Sequence, residues 1–269
     1  SPTRPANQDS TAIISGLEAD HPEPSAVPDE VATSMLALLL EEFHELAEAT
    51  CQQPDAAQQT FLDTLAAARE QLANQYFSGK LRKKNYLLAV YWYRKAIASG
   101  SKSALFNLAI CYERGLGVDK SRQKALAYYR KAADSGIVQA KYNLAIALLR
   151  GVPAEKTLPE IKPDRKAAEA LLSGLSNRGF LPASRELAVL FLERPLDEKK
   201  MTDDIEAVKL LEKVANAGDV TGQRLLADCY LRGIGCSVDP DKAIGLLIKA
   251  DKAGDAFAKA ILAHCHEHG

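Results

Sequence analysis

The densest group of metal-ligating side chains in this 269-residue sequence is its tail, His264-Cys265-His266-Glu267-His268. Histidines four residues apart on a helix share a face, so His264 and His268 could clamp one metal ion together. Earlier in the chain, His44-Glu45 opens a zinc-protease pattern, but Glu48 stands where the second histidine belongs. The phosphate-loop pattern G-x-x-x-x-G-K-[ST] does not occur, and Gly115-Leu116-Gly117 follows a helical stretch rather than a strand. No Ser/His/Asp or Cys/His set can be assembled from spacing. Lys80, Arg82, Lys83 and Lys84 form a basic loop. It reads first as a solvated loop; as a docking site, with no aromatic stacking platform interleaved, it suits acidic protein better than nucleic acid. The expectation is a chain with no catalytic residue, no cofactor, no resident metal and no nucleic-acid partner.

The elements that carry these residues repeat. A Leu-Ala pair falls at Leu72-Ala73, Leu108-Ala109, Leu144-Ala145, Leu187-Ala188, Leu226-Ala227 and Leu262-Ala263, with steps of 36, 36, 43, 39 and 36. Glycines that end a second helix fall at Gly100, Gly136, Gly179, Gly218 and Gly254, in the same register. Four residues beyond each lies a small residue: Ala104, Ala140, Ala183, Gly222 and Ala258. Three markers in one register predict an all-α, right-handed α-solenoid of about five helix-turn-helix repeats. The small residue permits close helix crossing, and the glycine permits the left-handed turn at a helix end. In this register Cys111, Cys229 and Cys265 share one packing position, and His266 takes the aromatic position of Tyr112 and Tyr230. That assigns much of the tail to packing. Of the five cysteines, Cys51 and Cys236 fall in connections and are the candidate reactive thiols. The odd count at low density argues for a reducing compartment.

Charge divides the chain. Residues 1–60 carry 11 acidic groups and one basic group, Arg4, while the remainder carries 33 basic against 24 acidic groups. This division reads either as a soluble acidic tail on a mildly basic domain or as self-association in which one copy's acidic start meets another's basic repeats. Residues 1–30 hold five of the twelve prolines and show no period, and are read as a disordered N-terminal segment. Residues 31–65 are read as a helical oligomerisation or capping segment. Leu36, Leu39, Leu40 and Phe43 are its candidate self-association contacts, since the early turns are apolar nearly all round. The repeat solenoid is assigned to 66–269, ending in a closing helix from Ala258. No apolar run reaches the ~18–20 residues a membrane span needs. The start has no signal layout, so any targeting segment of a precursor is expected to lie outside this sequence.

Two repeats depart from the pattern. Repeat three keeps Gly151 but adds seven residues, within VPAEKTLPEIKPD, before Ala168. Its three prolines predict an extended excursion. Repeat four has Arg194-Pro195 in place of a loop glycine and adds three residues before Ala207.

The set Leu108-Ala109, Tyr112, Gly115, Gly117-Val118, Ala125, Tyr128, Tyr129, Lys131-Ala132-Ala133 and Gly136 resembles the Sel-one-like repeat family. That resemblance implies adaptor and scaffold work rather than catalysis. The order of repeats, with its proline-bearing insertion and LFLERPLDE repeat, is similar to the death ligand signal enhancer branch of that family, animal messengers of mitochondrial stress. This implies a cytosolic fragment released from mitochondria that self-assembles and activates the haem-regulated kinase of translation initiation. The expected partners are therefore a protein, specifically a kinase, and further copies of the chain. Tyr93, Tyr129 and Arg130 are the candidate partner contacts on the repeats' exposed concave side. Two alternatives remain: a bacterial envelope adaptor of the same repeat family, and a metal or enzymatic protein using the tail histidines.

Overall fold

The computed structural model describes residues 56–155, 158–200 and 202–268, without the side chains of 56–58 and 266–268. Eleven helices and no strand occur among the described residues. They are α1 (Ala56–Ser78), α2 (Tyr86–Ala98), α3 (Ser103–Arg114), α4 (Arg122–Asp134), α5 (Val138–Arg150), α6 (Arg165–Asn177), α7 (Leu181–Leu192), α8 (Asp203–Asn216), α9 (Val220–Arg232), α10 (Pro240–Lys252) and α11 (Ala256–His268). None is long and apolar enough to cross a membrane. The chain forms two compact units that divide between Pro163 and Asp164, inside repeat three. Within each, every helix packs on the next in sequence. This is the all-α repeat architecture that the period predicts. The line drawn at residue 65 is crossed by α1, which is one continuous helix.

The markers do the work their sizes suit. Ala73, Ala109, Ala145, Ala188 and Ala227 are fully buried. Ala263, on the closing helix α11, is exposed. Ala104, Ala140, Ala183 and Ala258 are fully buried as well, and at Gly222 an added Cβ would stand 2.6 Å from Val214 Cγ1. Such spacing leaves room for nothing larger than the residue present. In the second unit, Ala188, Ala207, Val208, Leu211, Leu226 and Cys229 form one cluster, and Ala227, Ala243, Leu247, Ala250 and Ala258 form the next.

Four of the five second helices, all but α8, start on side-chain caps. Asn85, Ser121, Asp164 and Asp239 each accept from the backbone N–H three residues on, satisfying a donor that a helix start leaves free. The cap residue is anchored to the helix before it: the Asn85, Ser121 and Asp239 N–H groups donate to the Tyr76, Tyr112 and Tyr230 carbonyls at 3.0, 2.9 and 3.0 Å.

One contact joins each repeat to its predecessor. In repeats two and five the second loop glycine, Gly117 (φ 70°) or Gly235 (φ 69°), lies against the first turn of the preceding second helix. A Cβ there would overlap the Tyr86 or Asp204 carbonyl. The corresponding residues elsewhere are Leu81, Pro153 and Leu196, and the two leucines are 79% and 90% exposed. Repeats three and four make the contact with side chains instead.

Candidate protein-interaction surface

The insertion of repeat three is a small hairpin. Val152 and Ile161 exchange backbone hydrogen bonds at 2.8 Å each, and Glu155 and Leu158 close the turn. The hairpin brings the Glu155 carboxylate to the start of α4, where it accepts from Ser121 Oγ, Arg122 N (2.7 Å) and Gln123 N (3.4 Å). A carboxylate is favoured there by the unpaired N–H groups and the helix dipole. Gln123 Nε2 donates in return to the Pro153 and Pro159 carbonyls at 3.0 and 2.8 Å. The prolines predicted an excursion; the structure folds it back onto repeat two.

Arg194 does the equivalent work in repeat four. Its guanidinium is buried and donates to both carboxylate oxygens of buried Asp203 at 3.1 and 3.0 Å, and to Glu169 Oε2 of α6 at 2.6 Å. Asp203 also accepts from Lys200 N at 2.7 Å. A planar five-donor group suits this divided role, which lysine could not fill.

The basic loop borders a cavity of about 420 Å³ lined by Tyr76, Arg82, Lys83, Lys84, Asn85 and Leu88. Arg82 donates through Nε to Gln75 Oε1 at 3.1 Å and lies over the Tyr76 ring, while Lys84 lies over Tyr86. In repeats two and five the ring equivalent to Tyr76 is covered from the second helix, by Lys124 over Tyr112 and Lys242 over Tyr230. Leu88 holds that position in repeat one, which leaves the loop cations beside an open cavity. Leu81 and Leu87, next in sequence to the lining residues Arg82 and Leu88, are 79% and 67% exposed. The patch is cationic and apolar together.

Of the candidate partner contacts, Tyr93 and Tyr129 are not on an exposed side. Their rings are 1% and 2% exposed, in the core, because each faces both its own repeat and the next. Only the hydroxyls reach polar surroundings: Tyr93 donates to Asn74 Oδ1 at 2.6 Å and Tyr129 to Glu113 Oε2 at 2.7 Å. Burial raises both phenol pKa values above the usual tyrosine range, with the Glu113 hydrogen bond adding to the effect at Tyr129. Arg130 is half-buried. The groups bordering these hydroxyls went unnoticed in the sequence. Asn74 also accepts from Asn107 Nδ2 at 3.3 Å, and Glu70 accepts from Ser101 and Ser103 Oγ at 2.7 and 2.6 Å. No motif marks them, since the partners lie about one repeat apart.

Leu36, Leu39, Leu40, Phe43, His44 and Cys51 lie outside the described residues. His264 is exposed and Cys265 half-buried on α11, and the side chains of His266 and His268 are likewise outside. Among the described residues no three His, Cys, Asp or Glu side chains are grouped to hold a metal ion. Cys111 and Cys229 are packing residues, 0% and 1% exposed, with burial pushing both thiols up to about 12. Cys236 is also raised by burial, and its thiol points at the Cys229 and Ile234 carbonyls. That environment disfavours the thiolate a reactive cysteine needs.

The helix pairs bounded by these loops match the Sel1 repeat model over residues 66–101, 102–137, 181–219 and 220–255. The chain belongs to the Sel1 repeat family. Repeat three, which carries the hairpin, lies outside the matched residues. Two mammalian proteins, DAP3-binding cell death enhancer 1 of Rattus norvegicus and of Mus musculus, are each 40% identical over 156 residues. That covers 58% of this chain and 28% of the relatives, so the chain matches less than a third of their length. Among solved structures, a Sel1 repeat protein from Oxalobacter formigenes superposes with a TM-score of 0.64 at 26% identity, covering 84% of each chain. A protective antigen of uropathogenic Escherichia coli gives 0.63 at 22%, over 81% of this chain and 50% of the other, a likeness of fold. The Sel1 repeat chain is thus a protein-interaction scaffold in class, of a family that is generally non-enzymatic.

Proposed function

We propose that this chain is a non-enzymatic, self-assembling scaffold that relays mitochondrial stress by binding and activating the haem-regulated translation-initiation kinase. The observation that carries the reading is the 40% identity to the two mammalian relatives across 156 residues, joined to a repeat fold with no assembled catalytic set among the described residues. The name of those relatives records binding of a protein, DAP3, and enhancement of cell death. For this chain the proposal carries over protein binding, with the kinase as partner and the cytosol as the place of action. The mechanism is multivalency. Several copies in one assembly hold several kinase molecules at high local concentration, which favours phosphorylation of one by another. Leu36, Leu39, Leu40 and Phe43 supply the contacts between copies. The bacterial-adaptor alternative is weaker, because identity to the solved bacterial proteins is 26% and 22%.

The test mixes the purified chain with the kinase and follows kinase autophosphorylation alongside the chain's mass by light scattering. Activation should rise with assembly and be lost in the Leu39→Asp, Phe43→Asp double variant. Equal activation by an unassembled variant, or a wild-type chain with no effect on the kinase, would refute the reading.

A further inference from the structure

Of the two cysteines that the repeat register places in connections, Cys236 falls among the described residues, and it has a second thiol close by. It sits in the loop of repeat five, just after the second loop glycine, where repeat two has Val118. Cys229 holds the packing position that repeat two gives to Cys111. Repeat five therefore has a cysteine at both places, whereas repeat two pairs Cys111 with a valine, and no other repeat has a cysteine at both.

The fold brings these two residues into one neighbourhood. Cys229 belongs to the apolar cluster of repeats four and five, and half-buried Cys236 packs against that cluster. Cys236 Sγ lies 3.6 Å from the Cys229 carbonyl oxygen and 3.5 Å from that of Ile234. The Cys229 carbonyl already accepts from Gly233 N, and from Ile234 N at 3.0 Å. It can lose the weak S–H donor and remain satisfied. Burial raises the Cys229 thiol most, and charge on Asp228 and then on Cys236 raises it further, so the two sulfurs lie within electrostatic range of each other. Both thiols are free.

We infer that Cys229 and Cys236 form a reversible disulfide within repeat five when the chain meets peroxide. Cys236 is the more accessible and reacts first: its thiolate displaces hydroxide from hydrogen peroxide and becomes a sulfenic acid. The Cys229 thiolate then attacks that sulfur and expels a second hydroxide. The two hydroxides take up the two thiol protons as water, so two thiols give up two electrons and one peroxide receives them. Turning the Cys236 side chain off the two carbonyls, with the loop settling on the end of α9, brings the sulfurs into bonding distance. Burial keeps both thiols protonated near neutral pH, so closure is slow there and quickens as pH rises. Few cysteines in odd number suit a redox-responsive pair better than a permanent cross-link. The bond would tie the loop that carries Gly235 to α9. It would thereby fix the close approach of Gly235 to the Asp204 carbonyl, through which repeat five rests on repeat four.

The experiment exposes the full chain to dilute hydrogen peroxide, blocks the remaining thiols with iodoacetamide, and maps tryptic peptides without reductant. Arg232 lies between the two cysteines. Trypsin therefore releases 225–232 and 233–242 separately from the reduced chain, and as one linked pair, about 2 Da lighter than their sum, from the oxidised chain. The linked pair should form about tenfold faster at pH 8 than at pH 7, and dithiothreitol should reverse it. Cys111, buried without a partner thiol, is the control within the chain and should stay reduced. Cys236→Val puts the residue of repeat two in the loop; circular dichroism should show it folded, and its Cys229 should stay reduced under the same peroxide. A wild-type chain in which Cys229 stays reduced, or in which Cys236 passes to sulfinic acid or links to another chain, overturns the inference.

Discussion

Replacing Gly117 by alanine separates two costs that a loop glycine normally combines. One is conformational. At φ 70° a Cβ raises the energy by about 1–2 kcal/mol, partly offset by about 0.4–1 kcal/mol from a stiffer unfolded chain. The other is steric. The new Cβ would overlap the Tyr86 carbonyl and stand 2.8 Å from Leu87 N, both rigid backbone at the start of α2. Relief requires the loop of repeat two to lift off repeat one, an overpacking cost of about 1–3 kcal/mol. The repeat contains its own control. Gly136 has φ 93° with nothing within 4 Å of an added Cβ, so Gly136→Ala carries only the first cost. The expected losses are therefore about 3 kcal/mol for Gly117→Ala and about 1 kcal/mol or less for Gly136→Ala. Urea unfolding followed by circular dichroism reads both. Gly235→Ala, which would overlap the Asp204 carbonyl, should match Gly117→Ala. If Gly117→Ala and Gly136→Ala cost the same, the loops do not hold successive repeats together by close backbone approach.

Two further outcomes follow from the geometry. Glu155→Ala should destabilise the first unit by about 1–2 kcal/mol, since it removes a carboxylate from a helix start while Ser121 keeps capping Lys124 N; faster proteolytic cleavage within 153–162 would accompany release of the hairpin, and an unchanged cleavage rate would show that Glu155 does not hold it. For Cys111 and Cys229 the folded thiol pKa is raised by burial from 9.0 to about 12, so the stability these thiols contribute is fully present below pH 9 and is lost as pH rises toward about 12. At about pH 8 they should react with a thiol reagent only as fast as the protein opens, and immediate labelling in native protein would contradict their burial.

Residue types and spacing were enough to read the repeat period, the helix pairs and the positions that must be small. They act locally: a glycine past a helix end, an alanine at each crossing and a leucine stripe carry their meaning within one or two turns. For that reason Ala104, Ala140, Ala183, Gly222 and Ala258 were identifiable before any helix was placed, and all are buried. The basic loop was legible as charge, but its cavity and its exposed leucines were not. Tyr93 and Tyr129 show the same boundary. Periodicity puts a tyrosine on a helix face, yet a repeat helix has neighbours on two sides, so the face alone does not separate core from surface. The contacts made by Glu155 and Arg194 were decided only by tertiary structure. Glu155 meets the start of a helix more than thirty residues earlier, and Arg194 meets Glu169 twenty-five residues back. Such pairs are set by how one helix pair stacks on the last, a geometry that no residue in the loop encodes alone.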